Sequence, residues 1–259
     1  MTGMFDGKVV LVTGAGSGMG RAAAQRFAQE GAKVCAVDLN PATAEATAEA
    51  IRAEGGDAFS SQADIAQQGD NDRMVADTVA RYGGLDAAFL NAGYLGPNLD
   101  FFEIDAKTFD FIVAVNLRGC FFGMQSAGRA IRPGGAIVVT ASTAAFAANQ
   151  YNAIYTATKH GVVGLVKATA EAFAARKIRI NAICPGVTRT GMIGFAVAEQ
   201  PVPPEQLTQP DFAGLGEPQH IAELALFLAS SRASFITGAA HTIDGGLMAH
   251  IPAARVDFF

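Results

Sequence analysis

The sequence contains no tryptophan, only three cysteines and only four histidines among its 259 residues. It has no run of basic residues, and no apolar run reaches the roughly 18 residues that a membrane-spanning helix needs. With a net charge of −5, nucleic acid and anionic membranes are not expected partners, because both attract clustered positive charge. The amino-terminal run MTGMFDGKVVLVTG lacks the charged, apolar and small-residue zones of a signal peptide, which predicts a cytoplasmic location.

The few cysteines and histidines are not grouped. Cys35 and Cys184 lie in apolar runs, KVCAVD and RINAIC, that are typical of buried strands. No cysteine has another cysteine or a histidine near it at the spacing of metal ligands. This pattern predicts free core thiols and no metal site.

Half of the residues are hydrophobic, which is enough to bury a large core, and no repeat, linker or low-complexity tract divides the chain. We therefore expect one domain over residues 1–259. Apolar runs such as KVVLVT, KVCAVD and AIVVTAS alternate with helix-forming segments. Continuous apolar runs indicate strands that are buried on both faces. The sequence thus predicts an α/β fold, a doubly wound parallel sheet of the Rossmann type.

A glycine-rich turn follows the first apolar run, where TGAGSGMG leads into the helix-forming RAAAQRFAQEGAK. At this place Gly14, Gly18 and Gly20 would allow a tight turn, a close approach to a pyrophosphate, and packing of the helix on the strand. The helix N-terminus would offer free N–H groups to the phosphates. The next apolar run ends at Asp38, where a carboxylate can bind the ribose of a dinucleotide.

Asp38 also bears on which nicotinamide cofactor is bound. A carboxylate accepts hydrogen bonds from ribose hydroxyls but repels a 2′-phosphate. Neither Ser17, Leu39 nor Asn40 supplies the cation that such a phosphate would need. NAD is therefore the predicted cofactor.

Tyr155 and Lys159, in the run YTATK, are four positions apart, which places them on one face of a helix. Tyrosine alone titrates near pH 10, and an adjacent ammonium favours its phenolate. The pair predicts a tyrosine that works as a general acid and base. Tyr151 lies four positions earlier, but the residue four beyond it is not a lysine, so we expect it to contact substrate or to cap the pocket instead.

With these motifs the chain resembles the short-chain dehydrogenase/reductase family, in its single-domain subgroup. The pattern TGxxxGxG, the run NAG at 91–93, Ser142 thirteen positions before Tyr155, the Tyr155 and Lys159 pair, the step Pro185-Gly186 and the run DGG at 244–246 occur in the family's order. The resemblance spans nearly the whole chain. It implies an NAD-dependent enzyme that interconverts secondary alcohols and ketones.

The resemblance also implies a catalytic set of Asn116, Ser142, Tyr155 and Lys159. Ser142 would donate a hydrogen bond to the substrate oxygen as negative charge develops there. Lys159 would also hold the nicotinamide ribose, and Asn116 would hold a water that connects Lys159 to solvent. The alternative for Asn116 is a structural amide whose partners all come from the protein.

The predicted cofactor-binding residues cluster at or after the ends of predicted strands. They are Gly14, Ser17, Gly18, Met19, Gly20, Asp38, Leu39, Asp64, Ile65, Asn91, Ala92, Gly93, Tyr155, Lys159, Pro185, Gly186, Thr188 and Thr190. By resemblance, Asp64 and Ile65 border the adenine, and Thr188 and Thr190 border the nicotinamide amide. A helix cap is the alternative for an aspartate or threonine at a strand end.

Residues 189–214 lie where the family keeps a mobile substrate lid. Their apolar side chains suggest a substrate wall, although packing on the core is an alternative. The segment carries no cation beyond Arg189, so we expect an uncharged substrate that is apolar or cyclic. The predicted substrate contacts are Ser142, Tyr151, Tyr155, Met192 and Phe195.

The helical stretches 105–131 and 151–176 carry apolar residues on more than one face, and the resemblance makes them the main dimer interface. We therefore expect a homo-oligomer, a tetramer. Two other classes stay open. A non-catalytic NAD-binding regulatory protein would not need the full catalytic set, and an NAD-using epimerase or dehydratase would usually need a further substrate domain. Enoyl-reducing relatives use a wider spacing between tyrosine and lysine than this chain has.

Overall fold

A computed structural model describes residues 3–148, 151–194 and 214–249. Within these ranges, seven strands form one sheet in which every neighbouring pair is parallel. The strands are β1 (Val9–Thr13), β2 (Lys33–Asp38), β3 (Asp57–Gln62), β4 (Leu85–Leu90), β5 (Ile131–Thr140), β6 (Arg179–Pro185) and β7 (Ala240–Ile243). Their order across the sheet is β3-β2-β1-β4-β5-β6-β7.

Helices cover both faces of this sheet. They are α1 (Gly18–Gln29), α2 (Pro41–Ala53), α3 (Gln68–Tyr82), α4 (Ala106–Val113), α5 (Gly119–Ala130), α6 (Ala153–Ala175) and α7 (Pro218–Ala229). Helices α1, α2 and α7 pack against one face, and α3, α5 and α6 pack against the other. The predicted doubly wound parallel sheet is confirmed.

Residues of β1 explain why the strands read as continuous apolar runs. Val10 and Val12 belong to the core beneath α1, α2 and α7, whereas Val9 and Leu11 belong to the core beneath α3, α5 and α6. Because successive side chains of a strand point to opposite faces, a sheet between two helix layers needs apolar residues at every position.

Three details differ from the predicted elements. The helical stretch 105–131 is interrupted by a π-helical segment, Ala114–Arg118, between α4 and α5. Helix α6 begins at Ala153 rather than at Tyr151. The edge strand β7 was not predicted, because it has only four residues and its side chains are partly exposed.

The topology places the predicted site residues at one edge of the sheet. Strand β1 lies between β2 and β4, so the strand order reverses beside it, and ligands of such sheets bind beyond the carboxyl ends of the strands at this switch point. Six predicted residues lie at these ends or within two residues of them: Gly14, Asp38, Asp64, Asn91, Ser142 and Pro185. Across the described residues, no helix is long and apolar enough to cross a membrane.

Candidate active site

The glycine turn after β1 has the geometry that the sequence predicts. Gly14 has a φ of +67° and Gly18 a φ of +51°, a backbone region in which a side chain would be strained. A Cβ on Gly20 would meet the carbonyl oxygen of Gly14, so α1 can start this close to β1 only with glycine there. Ser17 makes no capping hydrogen bond with its side chain, which leaves the first N–H groups of α1 for an anion.

Asp38 is tied to this turn. Its Oδ2 accepts a hydrogen bond from the Gly16 N–H at 2.9 Å, and its Oδ1 accepts one from the Asn40 N–H at 3.0 Å. The Gly16 carbonyl in turn accepts from the Arg21 guanidinium. Each carboxylate oxygen keeps a further lone pair, so Asp38 can still accept from ribose hydroxyls.

A cleft of about 310 Å³ lies along the ends of β1 to β4, and we call it the cofactor cleft. Its predicted lining residues are Gly14, Ser17, Gly18, Met19, Asp38, Leu39, Asp64, Ile65, Asn91, Ala92, Gly93, Thr190 and Met192. The free N–H groups, the carboxylate and the apolar strand ends fit a dinucleotide's pyrophosphate, ribose and adenine, respectively.

A second cleft of about 340 Å³ adjoins it, and we call it the catalytic cleft. Ser142, Tyr155 and Lys159 line this cleft, as do the predicted residues Pro185, Gly186 and Thr188. The two clefts share the lining residues Met19, Asn91, Gly93, Thr190 and Met192. A molecule in the cofactor cleft can therefore extend to the hydroxyl groups of Ser142 and Tyr155.

Lys159 is buried beside Tyr155. The lysine is only 3% exposed, and its Nζ lies 5.4 Å from the centre of the Tyr155 ring. Nζ donates a hydrogen bond to the Thr140 carbonyl at 2.8 Å. The helical spacing thus places a fixed positive charge next to the phenol, as predicted.

Asn116 lies in the π-helical segment, and its amide is bonded to the protein. Its Oδ1 accepts from the Tyr94 N–H at 2.8 Å, and its Nδ2 donates to the Tyr94 carbonyl at 2.7 Å and to the Thr158 hydroxyl at 3.3 Å. The Thr158 hydroxyl donates to the Tyr155 carbonyl at 2.7 Å. Both hydrogens of the amide are therefore used, and Asn116 connects the segment after β4 to the helix of Tyr155.

The run NAG is fixed between β1 and β5. The Thr13 hydroxyl accepts from the N–H groups of Asn91 and Ala92 at 3.0 and 3.1 Å. The Asn91 Oδ1 accepts from the Thr140 hydroxyl at 3.1 Å. Thr140 also provides the carbonyl that accepts a hydrogen bond from Lys159. These hydrogen bonds therefore connect residues that line the two clefts.

Ser142 has a hydroxyl proton to donate. Its Oγ accepts from the Ala144 N–H at 3.1 Å, which leaves the O–H free to act as a donor. Cys184 is buried nearby, and burial raises the pKa of its thiol to about 11. The thiol therefore stays protonated at neutral pH and is not a nucleophile. Cys35 and Cys120 are buried and free as well, as predicted.

Of residues 187–190, all but Arg189 line the clefts. Thr188 and Thr190 are 7% and 8% exposed and line the clefts. Arg189, between them, points away and pairs with Glu217, with 2.9 Å between Nε and Oε1. Arg189 is not among the residues that line either of the two clefts.

Some predicted residues lie elsewhere. The expectation that Tyr151 faces the cleft assumed that it was helical, but α6 starts at Ala153, and Tyr151 is 47% exposed and lines neither cleft. Gly20 lines neither cleft; it lies against the Gly14 carbonyl, where the absence of a side chain lets α1 pack close to β1. Phe195 and most of the predicted lid lie outside the described residues. Among the described residues, no group of three or more His, Cys, Asp and Glu side chains could hold a metal ion.

Other lining residues were missed from the sequence. In the cofactor cleft they are Val37, Ala63, Tyr94, Phe111, Val115 and Gly191. In the catalytic cleft they are Leu95, Thr140, Ala141, Thr143, Ala144, Asn152, Thr156 and Val187, whereas Ile193 belongs to the segment whose apolar side chains were expected to form a substrate wall. Asn152 directly precedes α6 and is not helical, so the helical spacing from Tyr155 gives no signal for it.

The arrangement defines a dinucleotide-binding α/β protein with a hydroxyl-lined cleft beside its cofactor site. A family model described as "Enoyl-(Acyl carrier protein) reductase" matches residues 14–248. The chain belongs to the short-chain dehydrogenase/reductase family, and dehydrogenases of this family bind a nicotinamide cofactor.

Relatives and solved structures agree with this assignment. The chain is 38% identical to a cyclohexanol dehydrogenase from Acinetobacter sp. (strain SE19), over 95% of this chain and 96% of the relative. It is 36% identical to a 2,5-dichloro-2,5-cyclohexadiene-1,4-diol dehydrogenase from Sphingobium indicum, over 95% and 98%. The crystal structure of a levodione reductase superposes with a TM-score of 0.84 at 33% identity, over 95% of this chain and all of that one (100%).

Proposed function

We propose that the protein is an NAD-dependent oxidoreductase that interconverts a secondary alcohol and a ketone, and that its substrate is an uncharged cyclic molecule. The observation that carries this proposal is the catalytic cleft, where Ser142, Tyr155 and the buried Lys159 meet beside the glycine turn. The names of the three relatives above support it, because cyclohexanol, a cyclohexadiene diol and levodione are what those proteins are named for.

The cofactor, when bound, accepts or gives the hydride. In the oxidation, Tyr155 takes the proton of the substrate hydroxyl, and in the reduction it returns a proton to the carbonyl oxygen. The ammonium of Lys159, 5.4 Å from the ring centre, stabilises the negative charge of the phenolate in the low dielectric of the protein. Ser142 donates its hydroxyl hydrogen to the same substrate oxygen, where negative charge increases during hydride transfer to the carbonyl.

Asp38 supports NAD over NADP. The hydrogen bonds from Gly16 and Asn40 fix its carboxylate at the border of the cofactor cleft. A 2′-phosphate at that place would meet a fixed negative charge, whereas a ribose hydroxyl would find an acceptor.

The description of the matched family model raises the reduction of an enoyl thioester as a second candidate. The spacing of four between Tyr155 and Lys159 favours the alcohol and ketone reaction, because enoyl-reducing relatives have a wider spacing. The assay that separates the two supplies NADH with either a cyclic ketone or an enoyl thioester. Faster oxidation of NADH by the thioester would refute our choice.

The direct test is a panel of cyclic and open-chain secondary alcohols, with NAD or NADP at alkaline pH, followed by the absorbance of the reduced cofactor. We expect activity with NAD and a preference for uncharged cyclic alcohols over hydroxy acids of similar size, since no free cation lines the catalytic cleft among the described residues. Activity with the hydroxy acid alone would contradict the proposed substrate class. The cytoplasmic location stays a prediction from the sequence.

A further inference from the structure

The segment that follows β6 borders both clefts. Thr188 lines the catalytic cleft, and Thr190 lines both clefts. The Thr190 side chain also lies against the glycine turn, since a Cβ on Gly18 would be 3.1 Å from the Thr190 Cγ2. A dinucleotide that extends from the glycine turn to Tyr155 would therefore pass beside these two threonines.

Two backbone hydrogen bonds hold this segment to the residues that precede α7. Thr188 and Gly216 form a parallel β-bridge. The Arg189 N–H donates to the Gly216 carbonyl at 2.8 Å, and the Gly216 N–H donates to the Val187 carbonyl at 2.9 Å. Both bonds are made at Gly216, and Thr190 lies beyond them, so a further contact is needed to fix the end of the segment.

This further contact is the ion pair of Arg189 and Glu217. The Arg189 Nε and the Glu217 Oε1 are 2.9 Å apart, and the two side chains are 42% and 20% exposed. Glu217 directly precedes α7, where its N–H donates to the His220 Nδ1 at 3.0 Å. The buried face of α7 packs in the hydrophobic core. The Glu217 carboxylate is therefore attached to a rigid element.

The position of Arg189 between the two threonines gives the ion pair its consequence. Thr190 has an extended backbone, with φ −141° and ψ 161°, and neighbouring side chains of an extended chain point to opposite sides. Thr188 and Thr190 are buried and line the clefts, whereas Arg189 lines neither. Holding the guanidinium at Glu217 therefore keeps both threonines turned toward the clefts.

We propose that Arg189 and Glu217 are positioning residues, and that their ion pair sets where the nicotinamide end of the cofactor lies beside Tyr155. This inference rests on the proposed function and on the predicted contact of Thr188 and Thr190 with the nicotinamide amide. Partly exposed ion pairs contribute little to folding stability. A misplacement of about 1 Å at the reacting atoms, in contrast, can cost about 100-fold in rate. Loss of the pair should therefore change cofactor binding and kcat more than stability.

The first measurement is binding without catalysis. NADH is titrated by its fluorescence, and ADP-ribose by displacement of NADH, in the wild type, Arg189→Met, Glu217→Gln and the double variant. ADP-ribose has the adenine, both riboses and the pyrophosphate but no nicotinamide. Each single variant should bind NADH about 10-fold more weakly but ADP-ribose within about twofold of the wild type. An equal loss for both ligands would mean that the whole cofactor cleft is disturbed and would overturn the inference.

The second measurement is kcat with saturating NAD and a secondary alcohol that the wild type oxidises, expressed per molecule that binds NADH. Each single variant should lose about 10-fold. The double variant should lose no more than either single variant, because the same ion pair is broken in all three. Arg52→Met is the matched control, since Arg52 pairs with Glu45 at 2.6 Å, the two side chains are 41% and 44% exposed, and neither lines a cleft. Its kcat should equal that of the wild type.

A kcat within about twofold of the wild type in both single variants would contradict the inference, as would losses that multiply in the double variant. If Arg189→Met does not fold, Glu217→Gln breaks the same pair from the side of α7 and is judged by the same two measurements. A failure of the proposed function has a different result. The wild type itself would then reduce neither NAD nor NADP with any secondary alcohol, whereas the binding measurements would still report on the ion pair.

Discussion

At the scale of single residues, Asp38 has two tasks. It is expected to bind the ribose, and it also holds the glycine turn through the Gly16 N–H. Asp38→Ala should therefore weaken NAD binding and narrow the gap between NAD and NADP, because a group that repels the 2′-phosphate is removed. Catalytic efficiency measured with both cofactors tests this. A wild-type preference for NADP would show that Asp38 does not set the choice.

Loss of the Gly16 bond could by itself disturb the turn, so a control is needed. Asp86 also accepts a backbone hydrogen bond, from the Val9 N–H at 2.9 Å, but it lies at the start of β4, away from the clefts. Asp86→Ala should destabilise the fold without changing the ratio of the two cofactor efficiencies. An equal change of that ratio in both variants would mean that stability, not charge, is responsible.

Tyr155 is the residue on which proton transfer depends in our proposal. General acid and base catalysis contributes about 10²- to 10⁴-fold, so Tyr155→Phe should lose at least that much of kcat. NADH binding, followed by fluorescence, should persist, because the ring and the position of Lys159 are retained. Tyr151→Phe is the control, since Tyr151 lines neither cleft. An inactive Tyr151→Phe beside an active Tyr155→Phe would reverse the assignment.

At the scale of elements, the π-helical segment and α6 are joined by hydrogen bonds through Thr158. The Thr158 hydroxyl accepts from Asn116 and donates to the Tyr155 carbonyl, and the residue is only 1% exposed. π-Helical turns inside helices often occur at functional sites. Here the turn places the Asn116 amide where it bonds the Tyr94 backbone on one side and α6 on the other.

Thr158→Val should uncouple these elements. It leaves an amide hydrogen of Asn116 buried without its partner, which costs about 1–3 kcal/mol of unfolding free energy. We also expect a lower kcat, with KM for the alcohol less affected. The shape of the cleft is kept, but the hydrogen bond from the Thr158 hydroxyl to the Tyr155 carbonyl is lost. Denaturant unfolding and steady-state kinetics measure the two effects.

Thr169→Val provides the comparison, because Thr169 lies on the same helix, its hydroxyl donates to the Leu165 carbonyl at 2.8 Å, and it lines neither cleft. Thr158→Ser, which keeps the hydroxyl, should recover kcat. If Thr158→Val is destabilised but has wild-type kcat, the coupling is structural and has no effect on catalysis.

The sequence allowed the sheet and most of the cleft residues to be predicted, because both depend on local patterns. Buried strands give continuous apolar runs, and polar residues directly after them must lie at one edge of a parallel sheet. The π-helical segment could not be predicted, since AVNLR has no feature that separates it from an α-helix. For Tyr151, the spacing of four residues was applied across a helix start that the sequence does not mark, since α6 begins only at Ala153; its contact with substrate stays a prediction.

Polar lining residues were missed for a related reason. Asn152 and Thr156 have ordinary identities for a helix start, and only the folded chain shows that both residues line the catalytic cleft. Lining residues such as Val37 and Ala63 were missed because apolar strand ends look the same whether they border a cofactor or the core.

At the scale of the whole molecule, exposed aromatic side chains lie on the helices that the resemblance assigns to a dimer interface. Phe109 on α4 is 50% exposed and Phe121 on α5 is 38% exposed. Aromatic residues are enriched in protein–protein interfaces, and apolar surface of this kind is costly to leave in water. We therefore expect these helices to be covered by a second copy of the chain.

We predict a homotetramer, with a mass by light scattering of about four times the chain mass of 26.8 kDa. A closed tetramer with dihedral symmetry has at least two different interfaces. Phe109→Ser combined with Phe121→Ser weakens only the interface that contains α4 and α5, so this variant should form dimers rather than monomers. A wild-type protein that is a monodisperse monomer at micromolar concentration would refute the prediction, and a double variant that stays tetrameric would mean that these helices face solvent in the assembly.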